Sequence, residues 1–317
     1  MGLAVMYHPY LRGKQYELIT VREKADLLAE TGFVPIIEPV KESLGGLGRT
    51  LETICDANGR VIVIVNPHHG DHKADGDSIS SLLREFLNAP KIAAGVLLKK
   101  NMNVAQALEC CTDHAAHEVV LIHAGFTDAK GLAEGLGDGV RNRRHVFFEG
   151  SCGKLYRKHF TSADRTLLRD GFEKRRNRDH PVVESFSDLH VTYAEEGMSG
   201  FGDFLIVGDD FSEGGGPAYA VAIHLTFIDP TQDDAMFIYH FVSERQNTPT
   251  DPAGKFGEAL DAMMRTLNAP NSHIFESSAV RDLRDFHAKG HFPGLGYVKK
   301  LSMNHHIETL ANYFARR

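Results

Sequence analysis

The chain has 317 residues, 42% of them hydrophobic, 9% aromatic and 24% charged, a balance that supports a buried core and excludes a disordered polymer. Its formal charge of −7 argues against indiscriminate nucleic-acid binding, and no stretch approaches the roughly 20 apolar residues a bilayer requires. Cys55, Cys110, Cys111 and Cys152 form neither a disulfide framework nor a C-x-x-C zinc motif, and residues 1–10 lack a basic, then apolar, leader; a cytoplasmic location is expected.

Along the chain, one pattern repeats. A weak apolar run at 1–8 precedes a helix-period segment over 15–31, with Leu18, Val21, Ala25 and Leu28 on one stripe. Further apolar runs follow at 33–38, 61–65, 92–98, 119–123 and 145–149. The intervening segments 48–57, 78–87, 104–115 and 127–136 carry helical periodicity. The run VIVIV at 61–65 is β-branched throughout, as in a strand buried on both faces. Strands alternating with helices every 25–30 residues imply parallel crossovers. No G-x-G-x-x-G follows an early strand, so a dinucleotide fold lacks its phosphate-binding turn.

Runs at 204–207 and 219–228 bring the strand count to eight. The expected fold is therefore α/β, a (β/α)8 TIM-type barrel, as one domain over 1–317. A long insertion after strand six, about 150–200, and a C-terminal β-hairpin plus helices, about 218–317, complete it. The hairpin is expected from alternating strands 218–228 and 236–243 around the turn 229–234. The last helices are expected at 256–267, 276–288 and 304–315, with Asn304 capping the last and His305 and His306 at the surface. Residues 141–180 hold twelve Lys/Arg against five acids, a local +7 suited to phosphates or an acidic partner.

Barrel chemistry sits at the C-terminal strand ends. There the sequence places Tyr10, Arg12 and Lys14, then Glu38 and Lys41, Asn66, Lys99, His123 and Glu149. Glu38, His123 and Glu149 are the candidate acid/base groups or inner metal shell; Tyr10, Arg12, Lys14, Lys41, Asn66 and Lys99 are candidate ligand-binding groups. The densest cluster, NPHHGDH at 66–72, offers His69 and His72 to a divalent metal ion such as zinc, manganese or iron. Lys99 also raises Schiff-base chemistry, and Cys152 a thiolate activated by basic neighbours.

The motifs MYHPYLRGKQYEL at 6–18, VPIIEPVK at 34–41, GFGDF at 200–204 and SMNHHI at 302–307 resemble those of a group of bacterial and phage proteins known as the "beta protein" family. The resemblance spans most of the chain. It implies a barrel protein of a phage-defence or mobile-element setting, some relatives being encoded beside a nuclease-like companion protein. It supplies no catalytic assignment. Two functions therefore follow as expectations. One is action on a phosphorylated or nucleic-acid-derived ligand at the barrel mouth. The other is a non-catalytic scaffold that binds the companion, with the basic segment 141–180 contacting it or nucleic acid.

Overall fold

A computed structural model of the chain describes residues 6–89, 91–214 and 216–316. By its backbone contacts the chain, expected as one domain, divides into two compact units, residues 1–169 with 192–203 and residues 170–191 with 204–317.

The first unit is the barrel. Its strands are β1 (Met6–Leu11), β2 (Ile36–Ile37), β3 (Val61–Ile64), β4 (Ile92–Lys99), β5 (Val119–Ala124), β6 (Arg144–Phe148) and β7 (Asp164–Leu168). Beyond β8 (Val183–Ser187), which belongs to the second unit, the chain returns to add β9 (Gly200–Asp203). These eight strands pair in parallel and close as β1-β2-β3-β4-β5-β6-β7-β9. The expected first run, 1–8, falls partly outside the described residues; the described strand runs on to Leu11.

Helices α1 (Gln15–Glu23), α2 (Ala25–Thr31), α3 (Gly45–Asp56), α4 (Asp77–Arg84), α5 (Val104–Asp113), α6 (Ala129–Leu136) and α7 (Lys154–Arg157) fill the crossovers. The stripe Leu18, Val21, Ala25 and Leu28 is buried as its spacing predicts, and in α3 Leu47, Leu51 and Ile54 do the same.

Inside the barrel, side-chain direction follows the pleat. The Tyr10 and Phe148 rings meet edge to face at 5.3 Å although β1 and β6 are not neighbours, so both project inward. Closure depends on Gly202: a Cβ there would lie 2.2 Å from the His8 carbonyl oxygen and 2.3 Å from Leu168 Cδ2. Only glycine lets β9 seat between β1 and β7.

Two strand assignments need correction. The seventh and eighth barrel strands are DRTLL and GFGD, not the runs at 204–207 and 219–228. Residues 205–207 form a turn, with Leu205 at φ +50°. Residues 222–229 lie in an antiparallel sheet of the second unit. The long connection accordingly follows the seventh strand, not the sixth.

That second unit holds α8 (Leu189–Thr192) in part, β10 (Ala222–Asp229), β11 (Ala235–Val242), α9 (Pro252–Leu267), α10 (Ser278–Lys289) and α11 (Leu295–Ala315). Its sheet has the order β10-β11-β8. The expected hairpin is present, and Ile223, Leu225, Phe241, Phe256, Leu260, Met263, Val280, Leu283 and Leu301 share its core. The last helix begins at Leu295 behind an N-cap at Gly294, so Asn304 lies inside it. His305 and His306 are fully buried rather than at the surface. His305 bonds Ser277 Oγ (2.8 Å) and the Thr226 carbonyl (2.7 Å), and His306 bonds Thr226 Oγ1 (3.0 Å).

Candidate functional site

The barrel mouth is built around Glu38, at the exit of β2. Its side chain is 0% exposed. Oε2 accepts hydrogen bonds from Tyr10 Oη (2.9 Å) and Arg12 Nη1 (2.6 Å), while Oε1 accepts from the backbone N–H groups of His68 (2.7 Å) and His69 (3.0 Å). The Arg12 guanidinium also lies 4.8 Å over the Tyr10 ring. A carboxylate in this arrangement has its lone pairs engaged, so Glu38 fixes the exits of β1, β2 and β3 to one another. It is a poor proton acceptor for a substrate.

Glu149, at the exit of β6, is held differently. Arg169, which follows β7, clamps it in two bonds, Nε to Oε2 at 2.6 Å and Nη2 to Oε1 at 3.0 Å. Its side chain remains 34% exposed, so a ligand can reach it. Arg169 escaped sequence inspection because β7 was not recognised as a strand.

Lys99 projects from the end of β4 and is half-buried. Its Nζ approaches the Pro67 carbonyl at 3.4 Å. Burial draws its pKa below the ordinary lysine value, opposed by the charges of Cys110 and Glu38. It forms no ion pair with a carboxylate among the described residues. Lys14 and Lys41 stand in the loops after β1 and β2, the latter exposed. Asn66 is a strap: its amide donates to the Leu97 carbonyl (2.9 Å) and accepts from the Leu97 N–H (2.8 Å), extending the β3–β4 ladder by one rung.

His123 does not join this group. It is fully buried, stacked on Phe147 (4.5 Å) and packed on Phe160 (4.7 Å), with Nδ1 against Tyr156 Oη (2.7 Å) and Nε2 against His145 Nδ1 (2.9 Å). It lies between β5 and the helical layer, on the opposite face of the sheet from Phe148 and the mouth. Burial, then the neighbouring His145, holds its pKa well below the usual imidazole value. His72 is buried with Nε2 bonded to the Lys41 carbonyl at 3.1 Å. Cys152 is buried too; burial pushes its thiol up to about 11, the reverse of activation.

Among the described residues, the group of three or more side chains whose ligand atoms could meet at one metal ion is not at His69 and His72. It is His180, His224 and His240 of the second unit, whose ligand atoms lie within 4.8 Å of one another. His224 and His240 are cross-strand partners on β10 and β11, and their Nδ1 atoms are 2.7 Å apart. His240 Nε2 is 2.9 Å from Glu184 Oε1 on β8, and Arg175 donates to the same carboxylate oxygen at 2.6 Å. The His180 ring stacks on His240 at 4.2 Å, and Phe172 packs edge-on against His224 at 5.2 Å. The side chains of His180 and His240 are each 1% exposed. Burial lowers all three imidazole pKa values, His240 to about 4. Sequence inspection missed this cluster, although one signal was present. With one expected strand ending at residue 228 and the next beginning at 236, positions 224 and 240 each lie four residues from the turn and face each other if those ends pair.

No protein-family model matches the chain, and no curated protein matches it in sequence. The protein is thus defined by its fold, a closed parallel eight-stranded barrel joined to a unit built on an antiparallel three-stranded sheet. No helix among the described residues is long and apolar enough to cross a membrane.

Proposed function

We propose that the barrel binds a phosphorylated or nucleic-acid-derived ligand at its C-terminal mouth, in a defence or mobile-element system of the kind the "beta protein" resemblance implies. The observation that carries this reading is Lys99, a half-buried ammonium at a strand exit with no carboxylate partner among the described residues. The acids of the mouth are already engaged: Glu38 holds Arg12 and Glu149 holds Arg169. Lys99, with the exposed Lys41 in the loop after β2, then offers the mouth a cationic group whose complement is an oxyanion. If the ligand is turned over, Glu149 is the acid/base group that can meet it, since Glu38 is fully hydrogen-bonded and His123 is enclosed.

The test is equilibrium binding of a panel of nucleotides, sugar phosphates and pyrophosphate to the wild type and to Lys99→Gln. A charged hydrogen bond contributes about 1.5–3 kcal/mol, so the variant should lose at least about tenfold in affinity. Equal affinity in both proteins would refute the reading.

The second reading, a scaffold for a nuclease-like companion, is favoured by one surface feature. Leu155 is 77% exposed between the exposed Lys154 and Lys158, within the basic segment 141–180. An apolar anchor ringed by cations suits an acidic protein partner. The same segment is a weaker handle for nucleic acid, because Arg144, Arg157, Arg169, Arg175 and Arg176 are each paired with a carboxylate. Capture of the companion by the wild type but not by Leu155→Glu would support the scaffold.

A further inference from the structure

We propose that His180, His224 and His240 form a binding site for a zinc-like divalent metal ion, with Glu184 as the carboxylate that orients it and one coordination position open to an oxyanion. The site lies wholly within the second unit and is independent of the barrel mouth.

With the Glu184 carboxylate 2.9 Å away, His240 Nε2 carries the proton, so Nδ1 of the same ring presents a lone pair. That lone pair faces His224 Nδ1 at 2.7 Å, where it takes either the His224 proton or a metal ion. A carboxylate behind a ligating histidine is the usual outer support of such sites; it fixes the tautomer and raises ligand basicity.

A second, independent observation comes from His180. Its Nδ1 is buried and makes no hydrogen bond among the described residues, Glu184 Oε1 being 3.8 Å distant. A buried ring nitrogen left unsatisfied costs stability unless something binds it. The third ligand of a metal ion would be such a nitrogen.

The dimensions also fit. Nitrogens on a tetrahedral zinc ion stand about 3.3 Å apart, from metal–nitrogen distances near 2.0–2.1 Å. The His224–His240 pair would open slightly from 2.7 Å, and His180 would close from within 4.8 Å. His180, stacked on His240 at 4.2 Å, would also turn about its side-chain torsions to aim a ring nitrogen at the ion. Three imidazoles with no thiolate favour zinc or a neighbouring transition metal over magnesium or calcium.

Three protein ligands leave a fourth position. His180 and His224 line a cavity of about 350 Å³ that also receives Arg175, Asn177, Lys299 and Ser302. Arg175 is committed to Glu184, so the metal ion itself would attract the anion, while Asn177 and Ser302 bring hydrogen-bonding groups to a phosphate or carboxylate bound there.

The experiment uses the full-length, tag-free protein stripped with chelator and titrated with Co2+ and Zn2+. We expect one equivalent of Co2+ to give the intense visible bands of a four-coordinate site, displaced by Zn2+ and shifted by inorganic phosphate. Glu184→Gln should weaken binding about 10–100-fold. His224→Phe and His180→Ala should abolish the bands while circular dichroism shows a folded chain. Absence of stoichiometric binding to the wild type would overturn the site, as would bands that persist in a folded His224→Phe or His180→Ala. Bands that ignore phosphate would overturn the open position.

Discussion

Replacing Glu38 by glutamine is the sharpest perturbation of the barrel mouth. The carboxylate is fully buried and accepts four hydrogen bonds, from Tyr10, Arg12 and two backbone N–H groups. Glutamine keeps one carbonyl oxygen, which can serve the His68 and His69 N–H groups. Its amide then confronts Tyr10 Oη and Arg12 Nη1 with donors where they need an acceptor. Arg12, 7% exposed along its side chain, loses its carboxylate inside the protein. Breaking a buried ion pair from one side costs about 3–5 kcal/mol. Urea unfolding, followed by the combined emission of the nine tyrosines and by circular dichroism, reads this directly. Arg12→Met combined with Glu38→Gln should be less damaging than the sum of the single changes, by about 1–3 kcal/mol, because with Arg12 gone the second change no longer takes a carboxylate from a buried guanidinium. A Glu38→Gln protein within about 1 kcal/mol of wild type would refute the assignment of Glu38 as the organiser of the mouth.

Acid should destabilise the fold through its buried neutral histidines. Burial, with the charge of Arg144, lowers His8 to about 3, and burial lowers His305 to about 4. Unfolded, both would titrate near 6.5. The folded values lie below the unfolded one, so stability is complete above about pH 6.5 and is lost as pH falls toward 4. For His305 the displacement corresponds to about 3 kcal/mol, and a melting temperature unchanged between pH 7 and 4.5 would contradict it. Gly202→Ala places a Cβ against the His8 carbonyl and Leu168, and should cost about 1–3 kcal/mol or prevent closure; a wild-type melting temperature would show that β9 tolerates a side chain. Alkylation of the native protein at pH 8, read by mass spectrometry, should spare Cys152, which is buried and has a thiol pKa of about 11; its rapid modification would indicate an accessible, activated thiol.

Six of the barrel strands were legible in the sequence because a strand covered on both faces must be apolar along its length, as VIVI in β3 and IAAGVLLK in β4 are. The last two were not. DRTLL begins with two polar residues, one of them Asp164 in an ion pair with Arg144, and GFGD needs glycine where the barrel closes. The apolar run at 204–207 mimics a strand but turns at Leu205. The alternation at 222–229 reflects one face of an antiparallel sheet, which a strand count cannot separate from a barrel strand.

Position alone brought Tyr10, Arg12, Glu38, Lys99 and Glu149 to the mouth, because strand exits in a barrel converge. Their roles required side-chain geometry: the carboxylates of Glu38 and Glu149 differ in how many of their lone pairs the protein has already used. His123 failed for a parity reason. It is one residue from Ile122, and a shift of one position along a strand moves a side chain to the other face. The His180, His224 and His240 cluster draws on three separate stretches of chain, and only the mirror relation of 224 and 240 about their turn was visible beforehand.

The barrel-mouth proposal is tested most directly by locating a phosphate-bearing ligand in a crystal of the complex. The account predicts an anion within hydrogen-bond distance of Lys99 Nζ, inside the ring of strand exits, with the Arg12–Glu38 pair unbroken. A ligand bound elsewhere, with the mouth unchanged, would contradict it.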